Sequence, residues 1–294
     1  MVKVIPTVGQ MQERAESLRL DGRRIGCVPT MGFLHDGHLS LMRIARRRAG
    51  VLVVSVFVNP AQFGPEEDFE TYPRDLERDL ELCAKENVDI VFTPNTAALY
   101  PDGYQSYVKL ERLPHHLCGL SRPVFFTGIA TVVSKLFNIV RPHIAVFGEK
   151  DYQQLLIIRR MVKDLNFNTE IISGPIVREK DGLAMSSRNA YLTPDQRPAA
   201  LTLYRSLVQA RKRVETGERD AARILKEARD LITAQPETDI DYLSICDPET
   251  LIDVARIDRP VLMALAVKVG KTRLIDNTIL PVSSSGPGPS NSVT

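Results

Sequence analysis

The eight residues 51–58 place the tightest constraint on how this chain can fold. They read V-L-V-V-S-V-F-V, so seven of the eight side chains are apolar and most of them are β-branched. A strand with one solvated face would alternate polar and apolar residues, and this run does not. It therefore predicts a strand buried on both faces, which is typical of a parallel sheet covered by helices above and below.

The first 180 residues alternate short apolar segments with longer amphipathic ones. The apolar segments, which we predict to be strands, are residues 25–29, 51–58, 88–93, 144–148 and 170–177. The amphipathic segments, which we predict to be helices, are residues 39–48, 75–86, 127–140 and 152–165. This alternation predicts an α/β domain over residues 1–180, with a Rossmann-like parallel sheet and helices on both faces.

The pattern changes after residue 180. Two helices are predicted at 194–215 and 220–235, and the first has Thr193 and Gln196 in the positions of a capping box. Three strand-like segments follow, at residues 241–246, 261–269 and 272–279. Helices followed by strands predict a smaller α+β domain over residues 181–282. Residues 283–294 contain nine Ser, Gly or Pro, which predicts a flexible tail.

Composition argues against several classes of protein. The chain has 38 Lys and Arg against 36 Asp and Glu. A net charge of +2 is too small to attract DNA or an anionic lipid surface by its overall electrostatic field. We therefore expect no nucleic-acid partner and no membrane. The four cysteines are widely spaced, which argues against a zinc knuckle or a disulfide framework. With no signal-peptide pattern at the N-terminus, we expect a cytoplasmic protein.

Two of the five histidines lie in the tetrad His35-Asp36-Gly37-His38. The tetrad follows the first predicted strand and opens the first predicted helix, at the edge where open α/β sheets bind ligands. Backbone N–H groups at a helix start attract phosphate, and Gly37 would let a nucleotide approach the backbone. We expect His35 and His38, as imidazolium ions, to stabilise negative charge on phosphoryl oxygens. The alternative is a pair of surface histidines at a helix cap.

The segment Asn59-Pro60-Ala61-Gln62 directly follows the predicted strand of residues 51–58. Asn59 and Gln62 would then lie at the same edge of the sheet as the histidines. Their amides both donate and accept hydrogen bonds, so they suit a substrate with hydroxyl and carboxylate groups. The alternative is an ordinary turn, for which Asn-Pro is common.

A third polar segment, Gly148-Glu149-Lys150-Asp151, again connects a predicted strand to a predicted helix. Lys150 could contact phosphate as a point charge, and Asp151 could bind ribose hydroxyls. Gln154 would share the helical face of Asp151. The alternative is an N-capping Asp151 beside a solvated Lys150.

A fourth segment, Met185-Ser186-Ser187-Arg188, is a polar loop near the predicted domain junction. Two hydroxyls and a guanidinium in tandem suit phosphate binding, although such a loop can also be a plain linker.

No G-x-G-x-x-G follows the first predicted strand and no G-x-x-x-x-G-K-[ST] occurs. These two absences argue against a dinucleotide dehydrogenase and against a P-loop.

Taken in order, these segments resemble the pantoate–β-alanine ligase family. The matching text is V-P-T-M-G-F-L-H-D-G-H-L-S-L (28–41), V-F-V-N-P-A-Q-F-G (56–64), Y-P-R-D (72–75), T-V-V-S-K-L-F-N-I-V-R-P (131–142), F-G-E-K-D-Y-Q-Q-L (147–155), V-R-E-K-D-G-L-A-M-S-S-R-N-A-Y-L (177–192) and T-R-L-I-D-N (272–277). The long segments are specific to this family, whereas H-x-G-H alone is shared with the wider nucleotidylyl-transferase and class I aminoacyl-tRNA synthetase superfamily. The resemblance covers nearly the whole chain apart from the tail.

The resemblance implies an enzyme that joins pantoate to β-alanine with ATP and releases AMP and pyrophosphate. The pantoate carboxylate would attack the α-phosphorus of ATP to give a bound pantoyl adenylate. The amine of β-alanine would then attack the acyl carbon. The family also implies Mg²⁺ with ATP as co-substrate, a homodimer, and closure of the smaller domain as a lid that shields the adenylate from water.

The resemblance assigns a role to each matching residue. The residues implied to act in catalysis are His38, as proton donor, His35 as its partner, Lys150, Ser186, Ser187 and Arg188. The residues implied to bind ATP are Met31, Gly32, Phe33, Leu34, His35, Asp36, Gly37, His38, Gly148, Glu149, Lys150, Asp151, Val177, Met185, Ser186, Ser187 and Arg188. The residues implied to bind pantoate are Gln62, Gln154 and Asn59, and Gln62 would also border β-alanine.

Two positions depart from the family pattern. Phe125 stands where the family commonly has His, near the pantoate pocket or a lid, and His143 stands where Asp is usual, as a surface change.

Two other functions stay open. One is a nucleotidylyltransferase that leaves the nucleotide on its product, against which Gln62 and Gln154 argue. The other is a nucleotide-binding protein without catalysis, for which the Phe125 change is the only support.

Overall fold

The computed structural model describes residues 2–65 and 67–282. The chain divides into two compact units, one ending at Leu192 and the other beginning at Thr193. The predicted tail, residues 283–294, lies outside the described residues. No helix in the part of the chain that the structure describes is long and apolar enough to cross a membrane.

A six-stranded parallel sheet runs through the first unit. Its strands are β1 (Lys3–Ile5), β2 (Ile25–Thr30), β3 (Val51–Val56), β4 (Ile90–Phe92), β5 (Ile144–Gly148) and β6 (Glu170–Gly174). In space the order is β1-β4-β3-β2-β5-β6, and every neighbouring pair is parallel. The strand order therefore reverses between β2 and β5, and such a switch point opens a crevice at the carboxyl ends of the strands.

Helices surround this sheet, as the alternating pattern predicts. They are α1 (Val8–Leu20), α2 (Asp36–Arg46), α3 (Leu76–Lys85), α4 (Thr96–Leu99), α5 (Cys118–Ser121), α6 (Phe125–Val140) and α7 (Tyr152–Asp164). Helix α6 packs against α1 and α7, while α2 packs on β2, β3 and β5. The predicted α/β class is confirmed.

Both faces of β3 are buried, which explains its apolar sequence. Leu52 and Val54 belong to one core cluster with side chains of α2 and with Cys83 of α3. Val51 and Val53 point to the opposite face because side chains alternate along a strand, and they are buried as well. A polar residue in this strand would lose its water on either side.

The sequence did not predict β1 or α1. Strand β1 has only three residues and lies at the edge of the sheet. Helix α1 buries only Met11, Ala15 and Leu18, so its inward stripe is narrow and gives little amphipathic contrast. The strand predicted over 51–58 ends at Val56, and the helix predicted from residue 39 begins earlier, at Asp36.

The second unit is a small α+β body. A capping box of Thr193 and Gln196 precedes helix α8 (Arg197–Glu215), and α9 (Ala221–Thr233) follows. Strands β7 (Thr238–Cys246), β8 (Val261–Val269) and β9 (Thr272–Leu280) form an antiparallel sheet in that order. Helix α8 packs on β8 and β9, and α9 packs on β7.

The first unit extends twelve residues beyond the boundary predicted at residue 180. A β-bridge between Arg178 and Ala184 folds this stretch back on itself. The side chain of Arg188 then bonds to Asp68, and the hydroxyl of Ser187 bonds to the carbonyl of Phe33, so the loop is anchored within the first unit. These contacts join residues far apart in sequence, which local composition does not reveal.

Candidate active site

A cleft of about 220 Å³ opens at the switch point, where β2, β3 and β5 end. The predicted site residues that line it are Met31, His35, Gly37, His38, Gln62, Gly148, Lys150, Asp151, Gln154, Val177, Met185, Ser186, Ser187 and Arg188. Each of the four polar segments picked out from the sequence thus contributes to one cleft. The carboxyl ends of neighbouring parallel strands meet at one edge of the sheet, which brings the first three segments together.

The imidazoles of His35 and His38 are bonded to the backbone at the start of α2. The N–H of Gly37 donates to Nδ1 of His35 at 3.1 Å, and the N–H of His35 donates to Nδ1 of His38 at 3.3 Å. An Nδ1 that accepts a hydrogen bond carries no proton, so a neutral ring carries its proton on Nε2. Both rings therefore keep an Nε2–H donor.

The folded chain by itself favours neutral histidines, and the imidazolium ions expected at bound phosphate stay a prediction. Burial, together with the charge of Lys150, lowers the pKa of His35 to about 4. Burial, the neighbouring His35 and Lys150 hold the pKa of His38 well below its usual range. Both side chains are consequently neutral at pH 7, and they offer hydrogen bonds rather than positive charge.

Gly37 is required by His35. A Cβ at residue 37 would lie 2.8 Å from Cε1 and 2.9 Å from Nδ1 of the His35 ring, which is too close for a real contact. The absence of a side chain here makes room for the imidazole that caps the helix, which is a different reason from the predicted approach of a nucleotide. Gly37 nevertheless forms part of the cleft wall.

A buried carboxylate from α3 shapes the turn that leads into the histidines. Gly32 and Phe33 have positive φ angles of 82° and 49°. Asp79 accepts the N–H of Phe33 at 2.8 Å and the N–H of Leu34 at 2.7 Å, and it is only 1% exposed. Sequence reasoning missed Asp79. Its signal was its position one turn before the buried Cys83, on the inward face of a helix.

Five residues predicted to bind ATP are not part of the cleft wall. They are Gly32, Phe33, Leu34, Asp36 and Glu149. Leu34 lies fully buried in the core cluster, while Asp36 is exposed in the first turn of α2. Of residues 31–38, Met31, His35, Gly37 and His38 line the cleft and the other four do not, so the binding of ATP by this whole segment stays a prediction.

Asn59 has a structural role next to the cleft residue Gln62, and its part in binding pantoate stays a prediction. Its side chain is 1% exposed, accepts the N–H of Ala61 at 3.3 Å and donates to the carbonyl of Gly128 at 3.1 Å. The alternative of a turn is correct for Asn59, which caps the short helix Pro60–Gln62. Gln62, three residues on, lines the cleft.

Helix α6 holds this short helix by direct backbone contact. A Cβ at Gly128 would collide with the carbonyl oxygen of Ala61 and would lie 2.9 Å from the backbone nitrogen of Gln62. The missing side chain lets the two backbones touch, and Asn59 bonds across the same contact. Gln62 is thereby fixed at the cleft by residues nearly seventy positions later in the chain.

The third polar segment forms the short helix Glu149–Asp151 between β5 and α7. Asp151 occupies the N-cap position of α7 without a side-chain capping bond, so the alternative of a capping aspartate is not supported. The Nζ atom of Lys150 lies 3.9 Å from Oδ2 of Asp151, and Lys150 is mostly buried. The neighbouring Gln153 bonds to three backbone groups around residues 113–118, whereas Gln154 lines the cleft.

The cleft also contains residues that the sequence did not single out. Its apolar part consists of Pro29, Leu41, Phe57, Phe63, Ile129, Val132, Val133, Leu136, Phe147, Pro175 and Ile176. Arg122 and Tyr72 add polar atoms. Residues of α6 at spacings of three and four form much of the apolar part, and in sequence such residues are indistinguishable from core positions.

The two departures from the family pattern have definite places. Phe125 lines the cleft, and the guanidinium carbon of Arg122 lies 3.6 Å from the centre of its ring. His143 is half-buried and accepts the N–H of Ile25 on Nδ1 at 3.0 Å. His143 is thus partly exposed, as predicted, and its side chain also satisfies the first backbone N–H of β2.

Comparison with known proteins decides the family. The family model described as pantoate-beta-alanine ligase matches residues 3–279. The chain belongs to the pantoate–β-alanine ligase family. Its relatives include pantothenate synthetases of Desulfatibacillum aliphaticivorans, 58% identical over 95% of this chain and 99% of that protein, and of Syntrophobacter fumaroxidans, 59% identical over the same shares.

Solved structures of the pantoate–β-alanine ligase family agree with this fold. The crystal structure of pantothenate synthetase from Thermus thermophilus is 44% identical with a TM-score of 0.90, covering 95% of this chain and all of that one. A pantoate–β-alanine ligase from Francisella tularensis, 32% identical with a TM-score of 0.79, was crystallised with beta-gamma ATP and beta-alanine, and the match covers 98% of this chain and 100% of that chain. The predicted family and its ligase activity are confirmed.

Proposed function

We propose that this chain joins pantoate to β-alanine with ATP, through a pantoyl adenylate, and releases AMP and pyrophosphate. One observation supports the proposal most directly. His35, Gly37 and His38 of the tetrad line one cleft at the β2–β5 switch point, together with Lys150, the loop of residues 186–188, Gln62 and Gln154. Phosphate-binding groups and carboxylate-binding groups in one cleft suit a reaction that joins an acid to a nucleotide.

For the first step, we assign the phosphate-binding donors to the tetrad, Lys150 and the 186–188 loop. The Nε2–H groups of His35 and His38 would donate to α-phosphoryl oxygens as charge grows on them. An incoming polyphosphate would offset the positive field of Lys150 and raise the pKa of both imidazoles, because an anion favours the protonated ring. His38 would thereby become able to act as the proton donor that the family assigns to it.

We assign pantoate to the part of the cleft that contains Gln62 and Gln154. Their amides would hold the hydroxyl and carboxylate groups, while Ile129, Val132 and Val133 would contact the two methyl groups of pantoate. Such an arrangement would hold the carboxylate oxygen for in-line attack on phosphorus. β-Alanine would then enter beside Gln62 and attack the acyl carbon of the adenylate.

The nucleoside part of ATP falls to the remaining predicted residues. Gly148 and Asp151 would contact ribose, and Val177 and Met185 would border adenine. Gly148 offers backbone without a side chain at the end of β5, and Asp151 offers carboxylate oxygens to hydroxyl donors. The residues present therefore provide an acceptor for a ribose and an apolar edge for a base.

We propose that Mg²⁺ arrives bound to ATP. Among residues 2–65 and 67–282, no group of three or more His, Cys, Asp or Glu side chains is placed to hold a metal ion. Magnesium in ATP sites is commonly held by phosphate oxygens and water with one or two carboxylates, and Asp151 is a carboxylate in the cleft. When bound, the ion would neutralise phosphate charge and assist the departure of pyrophosphate.

We also propose, from the family resemblance, that the protein acts as a cytoplasmic homodimer and that residues 193–282 serve as a lid. Sedimentation equilibrium of the purified chain tests the dimer. Hydrogen exchange of residues 193–282 with and without ATP and pantoate tests the lid, because closure would slow exchange there.

Exchange of labelled pyrophosphate into ATP, measured without β-alanine, tests the adenylation step. We expect exchange that requires pantoate, followed by pantothenate and AMP once β-alanine is added. The proposal would be refuted by exchange that occurs equally well without pantoate. It would also be refuted if no exchange occurred with pantoate or with any other small carboxylate tried. A nucleotidyl product that is released and does not react with β-alanine would instead favour a nucleotidylyltransferase.

A further inference from the structure

The segment of residues 67–72 is bonded to the phosphate loop of residues 186–191 at several points. The carboxylate of Asp68 accepts from Nε of Arg188 at 2.9 Å and from Nη2 at 2.7 Å. The hydroxyl of Tyr191 donates to the carbonyl of Thr71 at 3.2 Å. The ring of Tyr72 lies 6.0 Å from the guanidinium carbon of Arg188.

The pair of Asp68 and Arg188 leaves one edge of the guanidinium available. A guanidinium has five N–H groups in a rigid fork, and Asp68 takes one on Nε and one on Nη2. Among residues 2–65 and 67–282, no group accepts a hydrogen bond from Nη1 of Arg188, and this edge remains for a second acceptor. Arg188 lines the cleft with its side chain 28% exposed, so an acceptor in the cleft can reach it.

Asp68 is ionised in this setting. Although burial raises its pKa, the hydrogen bonds and charge of Arg188 lower the pKa further, to a value below its usual range. The ion pair is thus present at neutral pH. A bidentate pair fixes the direction of the guanidinium plane as well as its position, which a single contact would not do.

The same segment is also bonded next to Gln62. Glu67, adjacent to Asp68, accepts from Nε of Arg122 at 2.7 Å and from Nη2 of that residue. Nη2 of Arg122 also donates to the carbonyl oxygen of Gln62 at 3.1 Å. Two consecutive carboxylates therefore hold two arginines of the cleft wall, one beside the pantoate-binding glutamine and one in the phosphate loop.

We propose that Asp68 is a positioning residue that presents Arg188 to the phosphates of ATP, and this rests on the proposed function. A long arginine side chain has many rotamers, and the carboxylate selects the one with its fork in the cleft. ATP then binds to a guanidinium that is already oriented, so the Arg188 side chain loses less conformational freedom on binding. The opposite role, in which Asp68 competes with phosphate for Arg188, predicts the reverse effect of its removal.

The Asp68→Asn variant tests the proposal, since it removes the charge and one acceptor oxygen at nearly constant volume. We expect KM for ATP in pantoate-dependent pyrophosphate exchange to rise about tenfold or more, the scale of a misplaced binding group. KM for pantoate and the melting temperature should change little, because the pair is partly exposed. Asp164→Asn is the matched control, because it removes a carboxylate that pairs with an arginine, Arg160, on the surface of α7.

A double-mutant cycle with Arg188→Lys separates positioning from other roles. Lysine cannot form the fork, so Asp68→Asn should have no further effect on KM for ATP in the Arg188→Lys background. An effect that adds in full there, an unchanged KM in the single variant, or a lowered KM would each overturn the proposal. If the wild-type protein gives no pantoate-dependent exchange, the proposed function fails instead, whereas an active wild type with an unaffected Asp68→Asn variant refutes only the role of Asp68.

Discussion

The ring centres of His35 and His38 lie 4.1 Å apart, and each ring has its Nδ1 committed to a backbone N–H. Two positive charges at this distance in a half-buried cleft would repel strongly, and Lys150 adds a third. The pair is therefore held neutral until an anion enters. The two histidines therefore act as oriented hydrogen-bond donors and not as positive charges. The first two predictions follow from this neutral state.

Replacing His38 with Ala should impair adenylation much more than binding. We expect the pantoate-dependent exchange rate to fall about 100-fold or more, the scale of one lost donor to a developing oxyanion. The dissociation constant of ATP, measured by calorimetry, should change little because Lys150 and Arg188 remain. A variant that keeps near-normal turnover would exclude this role for His38.

The two histidines should make the protein less stable as the pH falls. In the unfolded chain both have ordinary pKa values near 6.5, whereas the folded value is about 4 for His35 and well below 6.5 for His38. Between the folded and the unfolded pKa values, the unfolded chain binds more protons than the folded chain. The free energy of unfolding therefore rises as the pH rises through this window and decreases as the pH falls. The slope is at most about 1.4 kcal/mol per pH unit for each histidine.

Urea denaturation at pH 5, 6 and 7 measures this slope. The double variant His35→Asn, His38→Asn keeps an acceptor oxygen near each Nδ1 position but cannot titrate, so its slope should be shallower than that of the wild type. His115→Asn, at an exposed position, is the control and should leave the slope unchanged. Equal slopes for the wild type and the double variant would contradict the buried, neutral state.

Adding a methyl group at Gly128 should displace Gln62. Because the new Cβ would collide with the carbonyl of Ala61, we expect Gly128→Ala to destabilise the protein by about 1–3 kcal/mol, as overpacking does. KM for pantoate should rise more than KM for ATP. Gly9→Ala in α1 is the matched control, because nothing lies within 4 Å of its Cβ, and it should be neutral or slightly stabilising.

Removing the charge of Asp79 should loosen the turn before the tetrad. Asn at this position offers one acceptor oxygen where two backbone N–H groups need one each, so Asp79→Asn should cost about 1–3 kcal/mol of stability. The exchange rate should fall as well, since the turn carries the chain into His35. Glu77→Gln, at an exposed position of the same helix, should change neither quantity. Normal exchange by Asp79→Asn would show that the turn tolerates a missing bond.

Local pattern was sufficient for the elements that carry the cleft. The run at residues 51–58 predicted a strand with two buried faces, and the strand-to-helix positions of His35, Lys150 and Gln62 follow from the order of the segments. Parallel strands necessarily place their carboxyl ends at one edge, so the sequence contained enough to bring these residues together.

Contacts between distant parts of the chain were beyond the reach of such patterns. Asp79 bonds to backbone 46 residues earlier, and Asp68 bonds to Arg188 120 residues later. Asn59 has the same residue type and neighbourhood as a ligand-binding amide, yet its partner Gly128 lies 69 positions away. The charge state of the histidines likewise depends on burial, which only the folded chain determines.

The bond from Asp79 to the turn at Phe33 and Leu34 also has a consequence for how the protein is made. During synthesis the tetrad leaves the ribosome well before α3 has been made, and β5, the neighbour of β2 across the switch point, is made later still. The nascent N-terminal segment therefore contains the complete motif before the contacts that fold it are available. ATP should not be retained by ribosome-bound chains until β5 and the loop of residues 186–188 have emerged, so nucleotide binding reports the completion of the first unit.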